Sequence, residues 1–379
     1  MLIALLIFSL LILLVATSLA PLPWLSPIFW AHGVLAMAAL PLIVAAMQHF
    51  VPVLTRSRAA GAALGRLPLG LVLVGGLLLL VFAGAWAWDW IVPLAALVFL
   101  AAGWMLLWMR QRSRNALGGA HPGLAWYAVA LACLLLGMTA AALIPLFPQW
   151  QAPLRQFHLH INLYGFIGLT AVGTLQVLFP TATGRADPGV SRRLRQDLKW
   201  AFAGAVLLAF GRTLETIWIT VPGVLLWLWP LARMAWAWLR EDRPQIFAWH
   251  GAAPALAAAT LGLASALIGV MLPGVASLDI FLAGFMFPLV SGAASQLLPV
   301  WVRPGRQTAW HAKARAAIGR YNGVRALFYM TSAILPLLGY RCGAMAGLLA
   351  LLWFVAGLAY WGLNNWLQGM GSGEADGPQ

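Results

Sequence analysis

Apolar runs of about 20 residues recur from one end of this 379-residue chain to the other. Each run is long enough to cross a bilayer as an α-helix, since the hydrocarbon core is about 30 Å thick and a helix rises about 1.5 Å per residue. We count about twelve runs, numbered in chain order: 2–20, 28–51, 68–88, 91–109, 124–146, 157–180, 199–219, 221–239, 247–272, 279–302, 316–338 and 343–367. The chain is therefore predicted to be an all-α, polytopic membrane protein with about 12 transmembrane helices.

Little sequence remains outside these runs, and 63% of the residues are hydrophobic while only 8% are charged. That balance lies far from the usual globular range and excludes a sizeable soluble domain. We expect one transmembrane domain over residues 1–368 and a polar, disordered tail over 369–379. The first run lacks a basic start and a small-residue cleavage site, so it is predicted to be a helix rather than a signal peptide.

The net charge of +14 comes from basic residues concentrated in every second loop. The basic clusters follow runs 2, 4, 6, 8 and 10, while the alternate loops carry few charges. Because positively charged loops face the cytoplasm, both termini are predicted to be cytoplasmic. The same pattern accounts for the charge without a nucleic-acid partner, and membrane lipid is the expected surrounding.

Run 6 contains a His-Leu-His sequence, His158 to His160, ahead of Gly165, Gly168 and Gly173. An ionisable residue within the membrane is expensive and usually functional. Residues two apart on an α-helix point to nearly opposite sides, so this helix can offer an imidazole to each of two cofactors, or one to a cofactor and one to a partner. The glycines let a neighbouring helix or a flat macrocycle approach the backbone. The pattern predicts a heme-ligating helix.

A repeat every four helices places other residues in register with run 6. The spacing in run 6 is given by His160, Gly165, Gly173 and Pro180. Run 10 repeats it with an aspartate first: Asp279, Gly284, Gly292 and Pro299. In run 2, His32 and Pro52 are also twenty residues apart. We predict three pseudo-repeats of four helices, with the histidines of runs 2 and 6 at a similar depth near the external face.

Three histidines, His32, His158 and His160, are the predicted axial ligands of heme iron. The alternative is that they only form structural hydrogen bonds. Two axial histidines would give a low-spin electron carrier, and one would leave an open position for a small diatomic gas. Cys133 and Cys342 stand alone in apolar sequence and form no heme-attachment motif. We therefore expect non-covalent heme b, with both cysteines buried as small hydrophobic residues.

Several further residues are weaker candidates. Arg155 and Arg341, both predicted on the external side, would pair with heme propionates, or else act as ordinary interfacial anchors. His250, between a tryptophan and a glycine on the opposite side, is a metal candidate whose structural alternative we favour. Arg212 and Glu215 are expected to neutralise each other on one face of run 7.

The run 6 motif resembles the ligand helix of heme-copper oxidase subunit I, especially its cbb-type branch, and resembles more closely the double-histidine helix of the NnrS family. The stretch Ala31-His32-Gly33 is similar to the low-spin-heme helix of oxidase subunit I. About 50 residues carry this likeness. The resemblance implies an oxidase subunit I-like fold, one or two b hemes, a bacterial inner membrane, and respiratory electron transfer or a nitric-oxide-related role.

The departures from the oxidase pattern are as informative. The sequence has no His-His pair for copper, and runs 7 and 8 contain no histidine. The double-histidine helix is sixth rather than tenth, and Asp279 stands where the tenth helix would carry a ligand. If the chain is an oxidoreductase, we do not expect a complete dioxygen-reducing oxidase, and its electrons would come from quinol or from a separate cytochrome or copper protein.

Two other classes of function remain open at this point. In a copper or other metal transporter, the histidines would bind metal together with methionines, namely Met37, Met47, Met271 and Met286. A non-catalytic assembly subunit related to the oxidases would keep the histidines as structural residues. Heme, bare metal or neither in the purified protein distinguishes the three.

Overall fold

The computed structural model describes residues 1–20, 26–116, 118–340 and 342–371, with side chains up to residue 365. Within these ranges the chain is helical with turns and contains no strand, as the sequence predicts. Arg341 lies outside the described residues, and so does the predicted tail from residue 372 onward. The first residues of that predicted tail, Gly369 to Gly371, belong to the last helix.

Each of the twelve predicted runs contains a helix. Their bounds are α1 Leu2–Leu19, α2 Pro27–Thr55, α3 Ala62–Phe82, α4 Trp88–Arg114, α5 Gly123–Leu146, α6 Pro148–Thr183, α7 Val190–Thr213, α8 Ile217–Glu241, α9 Ala253–Gly269, α10 Ser277–Val302, α11 Asn322–Ile334 and α12 Gly343–Gly371. A separate helix, Ala309–Ile318, precedes α11. Nine helices in the described part of the chain are long and apolar enough to span a membrane.

The three helices that miss this standard are α7, α9 and α11. Charged residues lie at both ends of α7, among them Asp197, Lys199 and Arg212. The other two are short, with 17 residues in α9 and 13 in α11. The apolar pattern therefore located these helices, but it overestimated the lengths of α9 and α11 and missed the polar first residues of α7.

Two helix ends differ from the sequence prediction in ways that matter for the site. Helix α6 begins at Pro148 rather than near residue 157, so the histidine pair lies about three turns inside the helix and not at its mouth. Helix α7 ends at Thr213, because Glu215 adopts a left-handed backbone with φ of 51°. The Thr216 amide then donates to the Gly211 carbonyl at 2.9 Å, a hydrogen bond that closes a helix end.

Three long helices contain a π-helical segment, and each segment starts directly after a residue that the repeat aligned. The segments are Gly33–Ala39 after His32, Ile161–Gly168 after His160, and Ile280–Met286 after Asp279. π-Helical turns are rare and are frequent at functional sites. The backbone is thus unusual at the positions where the predicted ligands lie.

The chain divides into two compact units, Met1–Ala237 and Trp238–Gln379. In the first unit α6 is the most deeply buried candidate span, with 89% of its apolar window buried against 33% for α1. In the second unit α9 packs on α10 and α11. A Cβ on Gly262 would collide with the backbone oxygen of Gly284, so this crossing requires glycine.

The glycines of α6 allow neighbouring helices to approach closely. A Cβ on Gly165 would lie 2.8 Å from the Cβ of Cys133, and one on Gly173 would lie 2.6 Å from the Cβ of Trp126. Both contacts are made by α5. Cys133 is buried as predicted, whereas the prediction for Cys342 is wrong because that side chain is exposed. It lies in the short loop before α12, where no helix covers it.

Candidate functional site

His32 and His158 come together in the first unit although they lie on different helices, α2 and α6. Their ring centroids are 6.2 Å apart, and the ring planes differ by only 10°. Phe82, at the end of α3, packs against His32 with a centroid distance of 4.5 Å. Both imidazoles are partly buried. The sequence placed these histidines at a similar depth, and the structure makes them neighbours.

In each of the three predicted ligand histidines, Nδ1 forms a hydrogen bond with a backbone carbonyl oxygen. The pairs are His32 with Ile28 at 2.8 Å, His158 with Gly137 at 2.9 Å, and His160 with Gln156 at 2.8 Å. A carbonyl oxygen can only accept, so each Nδ1 donates and carries the proton. The Nε2 atom of each neutral ring therefore keeps its lone pair. Metal-ligating histidines are oriented in this way by a hydrogen bond from the other ring nitrogen.

His160 faces a different side of α6 from His158, as the two-residue spacing predicts. Its side chain is only 5% exposed. The ring of Tyr164, one turn later, lies nearly parallel to the His160 ring, with centroids 6.2 Å apart and planes 20° apart. His158 instead reaches α5 through Gly137. The helix therefore presents two imidazoles to two different surroundings.

His32 and His160 share one local arrangement. Each bonds to the carbonyl four residues earlier, and each is the last residue before a π-helical segment. His158 lacks both features. Its acceptor Gly137 belongs to another helix, and the π-helical segment starts three residues after it. Sequence alignment of the repeats pairs the same two residues, so backbone and side-chain geometry agree at these positions.

The spacing of His32 and His158 suits a metal ion between them. A bond from a metal to an imidazole nitrogen is about 2.0 Å long, so two such bonds on opposite sides of one ion account for about 4 Å. The two half-rings between the nitrogens and the centroids supply the remainder of the 6.2 Å separation. The distance between the two rings therefore matches the distance expected for two imidazoles that bind one metal ion.

Arg212 is a site residue that the sequence reasoning assigned to another role. Its expected partner Glu215 is exposed beyond the end of α7. The Arg212 guanidinium lies within electrostatic range of His160 and Tyr164, and its Nε atom is buried without a hydrogen-bond partner. An arginine in the last turn of α7, directly after an apolar stretch, was the signal available in the sequence. The predicted propionate partner Arg155 is exposed on α6.

The weaker metal candidate His250 lies in the second unit and is exposed. Its Nδ1 accepts a hydrogen bond from the Tyr321 amide at 3.0 Å, and the Tyr321 ring stands edge-on at 5.4 Å. Tyr321 is the residue before α11 and has a left-handed backbone with φ of 61°. This geometry is that of a structural histidine supporting the start of a helix.

The loop histidines also have local structural partners. His121 Nδ1 accepts from the Gly123 amide at 3.1 Å, at the start of α5. His311 is 3% exposed within Ala309–Ile318 and forms a capping box with Thr308. Burial lowers the pKa of His121 from its usual value, and the charge of Arg195 lowers it further.

No family model matches the chain, and neither does any curated protein or solved structure. The proposed function therefore depends on the geometry of His32, His158 and His160.

Proposed function

We propose that this chain is an integral membrane b-type heme protein that binds one heme between His32 and His158. The observation that carries the proposal is the shared anchoring of Nδ1 on backbone carbonyls, which leaves Nε2 of all three histidines ready to ligate iron. Protein ligation by histidine needs a neutral ring held in one orientation. The absence of a Cys-x-x-Cys-His sequence favours heme held by its axial ligands alone.

A heme held by His32 and His158 would supply one-electron transfer. The residues of this chain set the conditions for it. Hydrogen bonds from Nδ1 to the carbonyls of Ile28 and Gly137 hold each ring and increase its donor strength. Phe82 covers one side of His32 and excludes water there. The expected role is respiratory electron transfer, with quinol or a separate cytochrome or copper protein as donor.

We further propose that His160 ligates a second heme. The ring beside His160 is that of Tyr164, so a heme held there by His160 would be able to bind a small diatomic gas. Arg212, beside both residues, suits a heme propionate through a charge-assisted hydrogen bond. This arrangement supports a nitric-oxide-related role. Copper remains an alternative metal on this side.

The three π-helical segments support an oxidase subunit I-like architecture built from three repeats of four helices. They occur at equivalent positions of α2, α6 and α10, with histidine before the first two and Asp279 before the third. A bacterial inner-membrane location with both termini cytoplasmic, and a relationship nearest to the NnrS family, belong to the same proposal.

The test is an absorption spectrum of the purified full chain, with a pyridine hemochrome assay and metal analysis. We expect a Soret band and heme b. The His32→Ala/His158→Ala double variant is the control and should lose the low-spin signal. Metal without heme would favour a metal transporter, and neither heme nor metal would favour an assembly subunit. Either of these results would overturn the proposal.

A further inference from the structure

Gly137 and Asn162 enclose His158 from two helices. The Gly137 carbonyl on α5 accepts from His158 Nδ1 at 2.9 Å. Asn162, one turn after His158 on α6, donates from Nδ2 to the His158 carbonyl at 2.7 Å and lies 3.3 Å from His158 Nδ1. The backbone and the ring of His158 are therefore both fixed by these two residues.

The two residues also depend on each other. A Cβ on Gly137 would lie 2.7 Å from the Asn162 Cγ and closer still to its Nδ2. The amide of Asn162 thus occupies the space left by the missing side chain of Gly137. Only a glycine at that position allows the carbonyl of α5 to reach the imidazole while Asn162 stays in place.

Burial of the Asn162 Oδ1 atom costs free energy that no hydrogen bond to that atom offsets. The atom is buried and has no hydrogen-bond partner. Leaving a buried acceptor unsatisfied is unfavourable, and an apolar side chain at this position would avoid the cost. Asn162 lies within the π-helical segment Ile161–Gly168, where the backbone itself is unusual. A polar side chain kept under these conditions calls for a role.

We propose that Asn162 and Gly137 form a positioning pair that fixes the orientation and donor strength of His158 toward the iron. This inference rests on the proposed function. Asn162 holds the backbone of His158 through its carbonyl oxygen. The Gly137 carbonyl polarises the imidazole through Nδ1. Neither residue contacts the iron.

The first experiment compares Asn162→Ala with Asn162→Ser in the full-length protein. A serine hydroxyl can bond to the carbonyl four residues earlier, so it restores the bond to His158 that alanine loses. We expect about 10- to 100-fold weaker heme binding for the alanine variant, with partial recovery in the serine variant. The spectrum and reduction potential of the heme that depends on His158 should shift, while those of the heme that depends on His160 should not.

The matched control is Thr170→Val, a buried change on the same helix. The Thr170 hydroxyl bonds only to the Phe166 carbonyl of its own helix at 2.7 Å, so heme content and spectrum should stay at the wild-type level.

The second experiment uses Gly137→Ala alone and together with Asn162→Ala. The single variant should lose His158-dependent heme, because the new methyl displaces Asn162. The double variant relieves the collision but still lacks the Asn162 hydrogen bond, so it should resemble Asn162→Ala. Wild-type heme affinity, spectrum and potential in both Asn162→Ala and Gly137→Ala would overturn the positioning role. A wild-type protein without heme would instead overturn the proposed function itself.

Discussion

The imidazole rings of His32 and His158 lie nearly parallel, with 10° between their planes and 6.2 Å between their centroids. The two residues belong to helices that are far apart in the sequence. Each ring donates a hydrogen bond from Nδ1 to a carbonyl oxygen of a helix backbone. In the proposed site these two rings act as one ligand pair, so changes at either residue should have the same consequence.

His32→Ala and His158→Ala should therefore abolish the same spectral component. Loss of one axial ligand converts a low-spin heme to a high-spin or empty site, and heme content should fall by about half if two hemes bind. Electron paramagnetic resonance of the oxidised protein measures the low-spin signal directly. His250→Ala is the matched control, since His250 supports a helix start, and it should keep the wild-type signal. Different spectral losses in the two variants would contradict the pairing.

His160→Ala should remove a different component. Because His160 faces Tyr164 and not His32, the low-spin signal should persist while ligand-sensitive absorbance disappears. Titration of the reduced protein with nitric oxide or carbon monoxide, followed optically, is the measurement. If gas binding survives in His160→Ala and is lost in His158→Ala, the two sides of α6 have been assigned the wrong way round.

Arg212→Gln should weaken heme binding at the His160 side. Hydrogen bonds to charged groups contribute about 1.5–3 kcal/mol, which corresponds to about a 10- to 100-fold loss of affinity. Arg155→Gln, an exposed change on α6, should have little effect. Transfer of heme to apomyoglobin measures the rate of heme loss from both variants, and weaker binding should give faster loss. Equal rates in Arg212→Gln and wild type would exclude the propionate contact.

Gly173→Ala should destabilise the first unit. The new methyl would lie 2.6 Å from the Trp126 Cβ, and the Trp126 indole is already held by a 2.9 Å hydrogen bond to the Leu194 carbonyl. Overpacking of this kind costs about 1–3 kcal/mol. Gly76→Ala on α3 is the control, because nothing lies within 4 Å of its Cβ. Thermal unfolding in detergent should show a lower midpoint for the first variant only.

Stability should fall as the pH decreases through the range in which free histidine titrates, in part because of His121. Burial and Arg195 lower the pKa of His121 in the folded state, so the unfolded chain takes up the proton first. Protonation also removes the acceptor for the Gly123 amide. His121→Asn keeps an acceptor that does not titrate, and its unfolding midpoint should depend less on pH between about 7.5 and 5.5. An unchanged pH dependence would exclude this residue as a contributor.

The sequence predicted the helices well and the contacts between them poorly. Apolar length located α1 to α12, and nine of these helices, within the described residues, are long and apolar enough to span a membrane, where a segment must satisfy its backbone internally. It did not locate the helix ends. At the start of α7 the helix continues into polar residues beyond the apolar run, and at Glu215 the helix stops at a left-handed residue inside the run. Pro148 and the short turn after it extend α6 beyond its apolar part.

Histidine identity and spacing led to His32, His158 and His160 as candidates and predicted that His158 and His160 face different sides of α6. The partners were not predictable in the same way. Gly137 contributes only a backbone oxygen, and Asn162 is useful only because Gly137 lies opposite. Arg212 was assigned to Glu215 because periodicity treats a helix as continuous through residue 215, and only the backbone angle there shows otherwise.

A π-helical turn contains one residue more than the α-helical turn it replaces. In α2, α6 and α10 the half that precedes Gly33, Ile161 or Ile280 is therefore out of phase, by about 100° of rotation, with the half that follows the segment. A side chain that looks aligned with a histidine when counted along a straight helix points elsewhere in space. Deleting one residue within such a segment would act as a rotation of half a helix about its own axis, leaving composition and length almost unchanged while turning the imidazoles away from their neighbours.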